Sequence, residues 1–423
     1  MKRRRFLATA AALPLLAGNF PRLGAARAQS KARVVVVGGG FAGANCARAL
    51  RRAAPGVGVT LVVADEVFTA CPHSNAVIAG LRELSAQQFR YGRLQREGVT
   101  LVRAPAAAVD PKARSVTVAD GTRLPYERLV VAPGIALRWN ALPGYDEAAA
   151  RRMPHAWIAG EQTLLLRRQL EAMPEGGLVA IAVPAYPYRC PSAPYERASL
   201  IAHFLKTRKP RAKLLILDSK DGYSQQRLFE RAWEELYPGL IEWLALSQGG
   251  AVTKVDAAAG TLETDFDTHR PAVANVIPPQ KAGRVAELAG AADATGWCPI
   301  DPLSFESKLQ PGVHVIGDAA IAGAMPKSAF AAASQGKACA AAVAALLGGR
   351  APAEAPLFNA CYSLLQPEYG ISQSASYHLS QGQIMEIAGS GRMSALEAPR
   401  RARAKEAEQG EAWFSTITEE AFG

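Results

Sequence analysis

The chain has 423 residues, 49% of them hydrophobic, and a formal charge of +11, enough sequence for two or three domains around a large core. Six basic residues and no acid lie within residues 1–28, so the remainder carries only +5, which is not the footprint of a nucleic-acid binder. No internal repeat is present. The first segment reads as an export signal: a basic run with a twin-arginine pattern, Lys2-Arg3-Arg4-Arg5-Phe6-Leu7, an apolar stretch from Ala8 to Ala17, and a small-x-small cleavage site at Ala26-Arg27-Ala28. The apolar stretch is too short for a membrane anchor, so no membrane span is expected. Residues 1–28 are therefore read as a twin-arginine signal peptide, with a mature N-terminus near Gln29 and a periplasmic destination. A Sec-type signal would lead to the same compartment, but twin-arginine export carries folded proteins and suits one that loads a cofactor in the cytoplasm.

Residues 33–37, Arg-Val-Val-Val-Val, show no polar alternation and read as a central parallel strand covered on both faces. They break into Gly38-Gly39-Gly40-Phe41-Ala42-Gly43 and a helix from Ala44 to Arg52, a Gly-x-Gly-x-x-Gly turn in the strand–turn–helix context that gives the pattern its meaning. Gly38 permits the tight turn, Gly40 lets backbone approach a pyrophosphate, and Gly43 lets the helix pack close to the strand. A dinucleotide cofactor is implied, with helix-terminal N–H groups facing its phosphates. The acid that would hold the adenosine ribose is expected about 20 residues further on, nearest Val63, which cannot accept a hydrogen bond. Asp65 or Glu66, at the end of the strand that begins at Val57, are the candidates.

Two later segments complete this pattern. Leu129-Val130-Val131-Ala132-Pro133-Gly134 is a buried strand ending in a Pro-Gly turn, and Gly312-Val313-His314-Val315-Ile316-Gly317-Asp318-Ala319 is another ending in Gly-Asp. The pair resembles the flavin disulfide reductases. That resemblance implies FAD as the cofactor, Asp318 as the ligand of its ribityl chain, and a following helix aimed at the flavin ring. The fold class expected is α/β: two dinucleotide-binding-type (Rossmann-like) domains of the flavin disulfide reductase type plus a C-terminal α+β interface domain. The FAD-binding domain would be split between 29–143 and 280–350, with the second nucleotide-type domain at 144–279 and the interface domain at 351–423.

The second nucleotide-type domain opens on a buried strand, Gly176 to Val183, but its turn is Pro184-Ala185-Tyr186-Pro187-Tyr188-Arg189-Cys190-Pro191. No glycine admits a pyrophosphate there, and each proline removes an N–H donor, so no NAD(P)H is expected. In place of the phosphate loop stands Cys190-Pro191-Ser192-Ala193-Pro194-Tyr195-Glu196, a thiol and a carboxyl at the strand end where ligands of open α/β sheets bind. The chain has six cysteines, which allow 15 pairings. Cys46 and Cys339 in Ala-rich helices, and Cys298, read as packing, whereas Cys71, Cys190 and Cys361 lie beside prolines or turns. No Cys-x-x-Cys-His attaches a c-type haem, and no metal site is expected. The Arg400-Arg401-Arg403-Lys405 cluster reads as a solvated helix face. Tyr362, Tyr369, Trp413 and Phe414 could line a flavin or a partner surface, or pack in the core.

Over nearly the whole mature chain the sequence resembles the flavoprotein subunit of flavocytochrome c sulfide dehydrogenase, a relative of sulfide:quinone oxidoreductases. The stretches that carry it are Phe68-Thr69-Ala70-Cys71-Pro72-His73-Ser74-Asn75, Arg189-Cys190-Pro191-Ser192-Ala193-Pro194-Tyr195-Glu196-Arg197-Ala198-Ser199, Ile277-Pro278-Pro279-Gln280, Gly296-Trp297-Cys298-Pro299, Met325-Pro326-Lys327-Ser328, Cys361-Tyr362-Ser363-Leu364-Leu365 and the ending from Trp413-Phe414 to Gly423. The resemblance implies FAD tethered by a thioether from Cys71 to the flavin 8α carbon, although Ala70, Pro72 and His73 depart from the family's commoner residues around the tether. It further implies a redox-active disulfide between Cys190 and Cys361 with Glu196 beside it as proton acceptor. Hydrosulfide would attack the disulfide, Cys190 taking the persulfide and Cys361 facing the flavin, while Lys327 favours the anionic reduced flavin. A separate c-type cytochrome subunit would receive the electrons. Two other readings remain compatible with these residues: an accessory flavoprotein of a thiosulfate-oxidising (Sox-type) system, and a non-catalytic flavin electron-transfer subunit. A quinone reductase would need an amphipathic membrane-binding stretch, for which the C-terminal region is a poor candidate.

Overall fold

The computed structural model describes residues 32–423; the export segment expected at 1–28 lies outside the described residues. Arg33–Val37 (β1) leads into helix α1 (Phe41–Ala53), and Gly58–Val63 (β2), Thr100–Arg103 (β3) and Arg128–Val131 (β4) follow. They form one parallel sheet in the order β4-β1-β2-β3. The unbroken valines explain the central place of β1, for Val34 to Val37 are at most 3% exposed and only a strand covered on both faces hides every side chain. A short helix, Ser74–Ile78 (α2), lies between β2 and β3 in the chain.

The chain leaves this sheet through Ile135–Leu137 and returns through Gln280–Ala282, and these two crossings pair antiparallel. Between them lies a second parallel sheet of Leu178–Val183 (β5), Lys213–Asp218 (β6), Ile241–Leu244 (β7) and Val273–Val276 (β8), ordered β7-β6-β5-β8. Helix α3 (Ala193–Arg208) follows the proline-rich turn after β5. The turn is filled from within the protein. Asp218, fully buried at the end of β6, accepts hydrogen bonds from Tyr195 Oη at 2.6 Å and Trp243 Nε1 at 3.0 Å and pairs with Lys220. The Lys220 ammonium in turn lies 5.2 and 5.1 Å from the ring centres of Tyr186 and Tyr188, a geometry in which the ring faces attract a cation.

After the return crossing, Val313–Val315 (β9) joins the first sheet beside β4, and helix α4 (Ala329–Leu347) packs on α1. By length and apolarity α4 could cross a membrane; here it is a core helix. A Cβ on Gly336 would fall 2.3 Å from the Ala42 carbonyl oxygen, so glycine at 336 allows the two helices their closeness. The C-terminal part is an antiparallel sheet of Leu357–Gln366 (β10), Tyr369–Ser380 (β11) and Gln383–Glu386 (β12), covered by helix α5 (Arg400–Ala421). The fold is thus mixed α/β with two parallel sheets and an α+β tail, as the pattern of runs and turns requires.

The basic cluster opening α5 is not uniformly solvated. Arg403 is 1% exposed and donates to the Ala395 and Leu396 carbonyls, with Glu406 at 3.1 Å. Helix α5 seats on β11, where Gly370 leaves no room for a Cβ against the Ala407 backbone, and that seating turns Arg403 inward. At its far end Phe422 closes an aromatic cluster with Phe41, Phe68 and Phe89, ring centres 5.1 to 5.7 Å apart. Arg48 of α1 donates to the Glu419 and Glu420 carbonyls, satisfying acceptors that a helix C-terminus leaves open.

Candidate active site

The C-terminal ends of β1, β2, β4 and β9, with the turn that follows β5, surround a cavity of about 490 Å³. Its dinucleotide half is built by glycines whose absence of Cβ is required. At Gly38, φ is +108° and a Cβ would lie 2.1 Å from the Ala132 carbonyl oxygen; at Gly43 it would lie 1.9 Å from the Gly38 carbonyl oxygen. The first turn of α1 therefore approaches the strand end, and Gly40, Phe41 and Ala42 line the cavity where free N–H groups of a helix start can face phosphate. Of the two acids left open by the sequence, Asp65 lines the cavity, while Glu66 is held by Arg90 at 2.6 Å.

Asp318 lies at the opposite end of this half. Its Oδ1 is buried without a partner, and burial raises its carboxyl above the usual range against the opposing charges of Arg189 and Lys327. Buried polar atoms are ordinarily satisfied. Three more cavity-lining groups share this condition: Nε1 of Trp157, Nε1 of Trp413 and Nε2 of His73. One unpartnered acceptor and three unpartnered nitrogen groups on residues that line a cavity beside a glycine turn fit a flavin dinucleotide, whose ribityl hydroxyls can donate and whose ring and phosphates can accept. Ser328 and Ala329, at the start of α4, also line the cavity, and Ser328 Oγ caps the helix by accepting from Ala331 N at 3.1 Å.

The second half holds the sulfur groups. Cys190, from the turn after β5, and Cys361, from the middle of β10, both line the cavity. Both are free thiols in this structure, so the disulfide implied by the resemblance is not formed in it. Cys190 adopts φ of +56°, a left-handed conformation uncommon for a residue with a side chain. Its N–H donates to the Lys327 carbonyl at 2.7 Å, which ties the β5 turn to the loop before α4. Burial raises both thiols; Asn359 and Ser328 oppose the rise at Cys361, and Arg189 opposes it at Cys190.

Glu196, in the first turn of α3, is partly buried and lines the cavity. It accepts from Leu364 N at 2.9 Å and Asn75 Nδ2 at 2.9 Å, so one carboxyl clamps the strand bearing Cys361 to the helix after Cys71. Burial pushes its pKa up to about 7, opposed by those two hydrogen bonds and by Arg197. Arg197 beneath it donates to Asn75 Oδ1, Asn275 Oδ1 and the His155 and Ala156 carbonyls.

Cys71 lines the same cavity, with its Sγ 4.0 Å from the Trp157 carbonyl oxygen. Lys327 stands apart. Its ammonium donates to the Asp318 and Ala320 carbonyls at 2.6 and 2.9 Å and sits 4.0 Å from the Trp297 ring centre, so its donors serve the Gly317-Asp318 turn, and desolvation lowers its pKa to about 8. Lys327 was expected to favour the anionic reduced flavin by its charge; the structure shows its ammonium holding the turn that carries Asp318. The sequence reading assigned nothing to Asn75, Arg197, Trp157 or His73. Asn75 had a signal, a polar residue at the start of the apolar run Ala-Val-Ile-Ala; Trp157 had none.

Three family models match the chain: the central region of the sulfide dehydrogenase (flavocytochrome c) flavoprotein chain over residues 163–278, the flavin-binding region of flavocytochrome c sulphide dehydrogenase over 353–422, and pyridine nucleotide-disulphide oxidoreductase over 32–160. A sulfide dehydrogenase (flavocytochrome c) flavoprotein chain of Chlorobaculum thiosulfatiphilum is 58% identical over 45 residues, 11% of this chain and 94% of that sequence. The mitochondrial sulfide:quinone oxidoreductase of Mus musculus is 24% identical over 303 residues, 69% of this chain and 66% of that protein. The chain thus spans just under two thirds of the length of this mitochondrial relative. The solved sulfide:quinone oxidoreductase of Aquifex aeolicus superposes with a TM-score of 0.71 at 18% identity, covering 92% of each chain, a likeness of fold.

Proposed function

The chain belongs to the family of flavocytochrome c sulfide dehydrogenase flavoprotein chains and carries FAD, and from that premise we propose that it oxidises sulfide through a Cys190–Cys361 disulfide and passes the electrons to a c-type cytochrome subunit. The observation that carries this reading is the meeting, in one cavity, of two thiols from distant parts of the chain with a carboxyl whose pKa is about 7.

FAD, when bound, supplies a two-electron acceptor that can release its electrons singly; Gly38, Gly40, Gly43 and Asp65 would hold its adenosine and phosphates, and Asp318 its ribityl chain. The sulfur of HS⁻ attacks Cys190 Sγ, a new S–S bond forms there, and the Cys190–Cys361 bond breaks with its electron pair leaving on Cys361. Cys190 then bears a persulfide and Cys361 is a thiolate beside Ser328 and Asn359. Glu196, poised near neutral pH, takes the persulfide proton, the task for which a carboxyl of raised pKa is suited. Cys71 is the residue for a thioether tether, which would keep the flavin on a protein working where it cannot be replaced.

The reading includes a periplasmic site of action, reached by the 1–28 signal, and no use of NAD(P)H. What supports the second point is Asp218: the acid at the end of β6 is already engaged by Tyr195, Trp243 and Lys220 and has no face left for a ribose. The test is the visible spectrum of acid-precipitated protein followed by anaerobic sulfide titration of the native form. A yellow pellet and bleaching by sulfide are expected. A colourless pellet would discard the tether alone, and flavin that sulfide cannot bleach would discard the proposed activity.

A further inference from the structure

We infer that Arg189 forms an anion-anchoring subsite at the rim of the cavity, where it draws small sulfur anions onto Cys190. This rests on the sulfide-oxidising reading for the identity of the anion and on the geometry of the cavity for the subsite itself.

Two guanidinium groups line the cavity among the described residues, and they differ in what they already hold. Arg197 is 2% exposed and donates four hydrogen bonds, to Asn75, Asn275, His155 and Ala156. It supports the scaffold under Glu196. Lys327 is not among the lining residues and spends its ammonium on the Asp318 and Ala320 carbonyls. Arg189 is only partly buried and makes one side-chain hydrogen bond, to the Trp157 carbonyl, while its backbone N–H is fixed by Gln280 Oε1 at 2.9 Å. A guanidinium has five donors, so most of this fork remains free for a ligand.

The position is as telling as the free donors. Ile158, next to the carbonyl that Arg189 holds, is 48% exposed and also lines the cavity, which marks this edge as the rim open to solvent. Arg189 immediately precedes Cys190, and both line the cavity, so the guanidinium and the thiol share this edge. The other charged groups at this end are the carboxyls of Glu196 and Asp318, which repel an anion, and Arg197, whose guanidinium is buried and spent on four hydrogen bonds. The Arg189 charge is felt at both Cys190 and Asp318, where it favours the anionic forms. In a cleft with low-dielectric walls a single cation of this kind focuses the field on its neighbour. The attack on Cys190 needs HS⁻ at the sulfur, and the resulting persulfide is itself acidic, so the same cation serves the entering and the bound anion without changing the electron balance of the exchange.

The test compares wild type with Arg189→Met and Arg189→Lys as flavin-loaded protein, with retained flavin absorbance as the check on folding. In dithiol protein, alkylation of Cys190 is followed by peptide mass spectrometry with anionic iodoacetate and neutral iodoacetamide. The iodoacetate-to-iodoacetamide rate ratio should fall roughly 10-fold in Arg189→Met and return in Arg189→Lys, with the wild-type ratio declining as salt is added. The second-order rate constant for anaerobic bleaching by sulfide should fall about 10- to 100-fold in Arg189→Met. An unchanged alkylation ratio overturns the subsite. Wild-type flavin that sulfide cannot bleach would overturn the functional reading instead, leaving the ratio to judge Arg189 by itself.

Discussion

Glu196→Gln is the most informative substitution in this site. The carboxyl accepts two hydrogen bonds, from Leu364 N and Asn75 Nδ2. Asn75 cannot simply turn over to meet a glutamine NH₂, because its Oδ1 already accepts from Arg197 Nε. The amide therefore keeps one bond and loses one, which costs about 1–3 kcal/mol for the donor left buried. Against that, the wild-type carboxyl rises from 4.5 to about 7, and holding it ionised costs about 3 kcal/mol. The sign follows from the raised value: stability tied to the protonated acid is present below pH 4.5 and lost as pH climbs to about 7. Relative to wild type, Glu196→Gln should therefore gain thermal stability between pH 5 and pH 8. Removal of the proton acceptor should lower the single-turnover rate of flavin bleaching by roughly 10²- to 10⁴-fold and erase the limb near pH 7 once rates are corrected to the concentration of HS⁻. Stopped-flow absorbance and melting curves across this range measure both. A variant that keeps the wild-type rate and limb refutes the proton-acceptor role, and a relative stability that moves the other way refutes the buried-acid argument.

Cys361→Ser should abolish bleaching by sulfide while leaving the flavin spectrum in place; full sulfide oxidation in that variant would exclude the disulfide route. Lys220→Met should lower stability by about 3–5 kcal/mol, because it leaves the fully buried Asp218 carboxylate without its cation, and calorimetry would record this as a lower Tm. Gly43→Val places a side chain where even a Cβ would be 1.9 Å from the Gly38 carbonyl oxygen, so purified protein should contain little or no flavin, measured as the 450 nm to 280 nm absorbance ratio.

Much of the scaffold was legible because it rests on local rules. The valines of β1, the glycine turn after them and the Gly-Asp ending of β9 each announce themselves within a few residues. The parallel sheets follow from apolar runs without alternation. The site was legible only in its members. Cys190, Cys361, Glu196, Cys71 and Asp318 were singled out in advance, and the fold brings them to one cavity, but their partners were not readable. Asn75 and Leu364 N meet Glu196 from segments far away in the chain, and Trp157 reaches the cavity from a stretch with no motif. Arg403 shows the opposite error. It read as part of a solvated helix face and is instead buried and consumed by backbone carbonyls, a fate decided by the seating of its helix on the sheet.

By itself the sequence determined the chemistry available to this protein: a dinucleotide turn, thiols, one acid at a strand end, and a second nucleotide-type fold without a phosphate loop. These are properties of residue type and short spacing, where sterics and missing N–H groups act within a few residues. Only the tertiary structure decided which of these groups meet, which cation is left free, and that Glu196 is held near neutrality. Burial and long-range hydrogen bonding are properties of packed surfaces, and they depend on residues that the chain order keeps far apart.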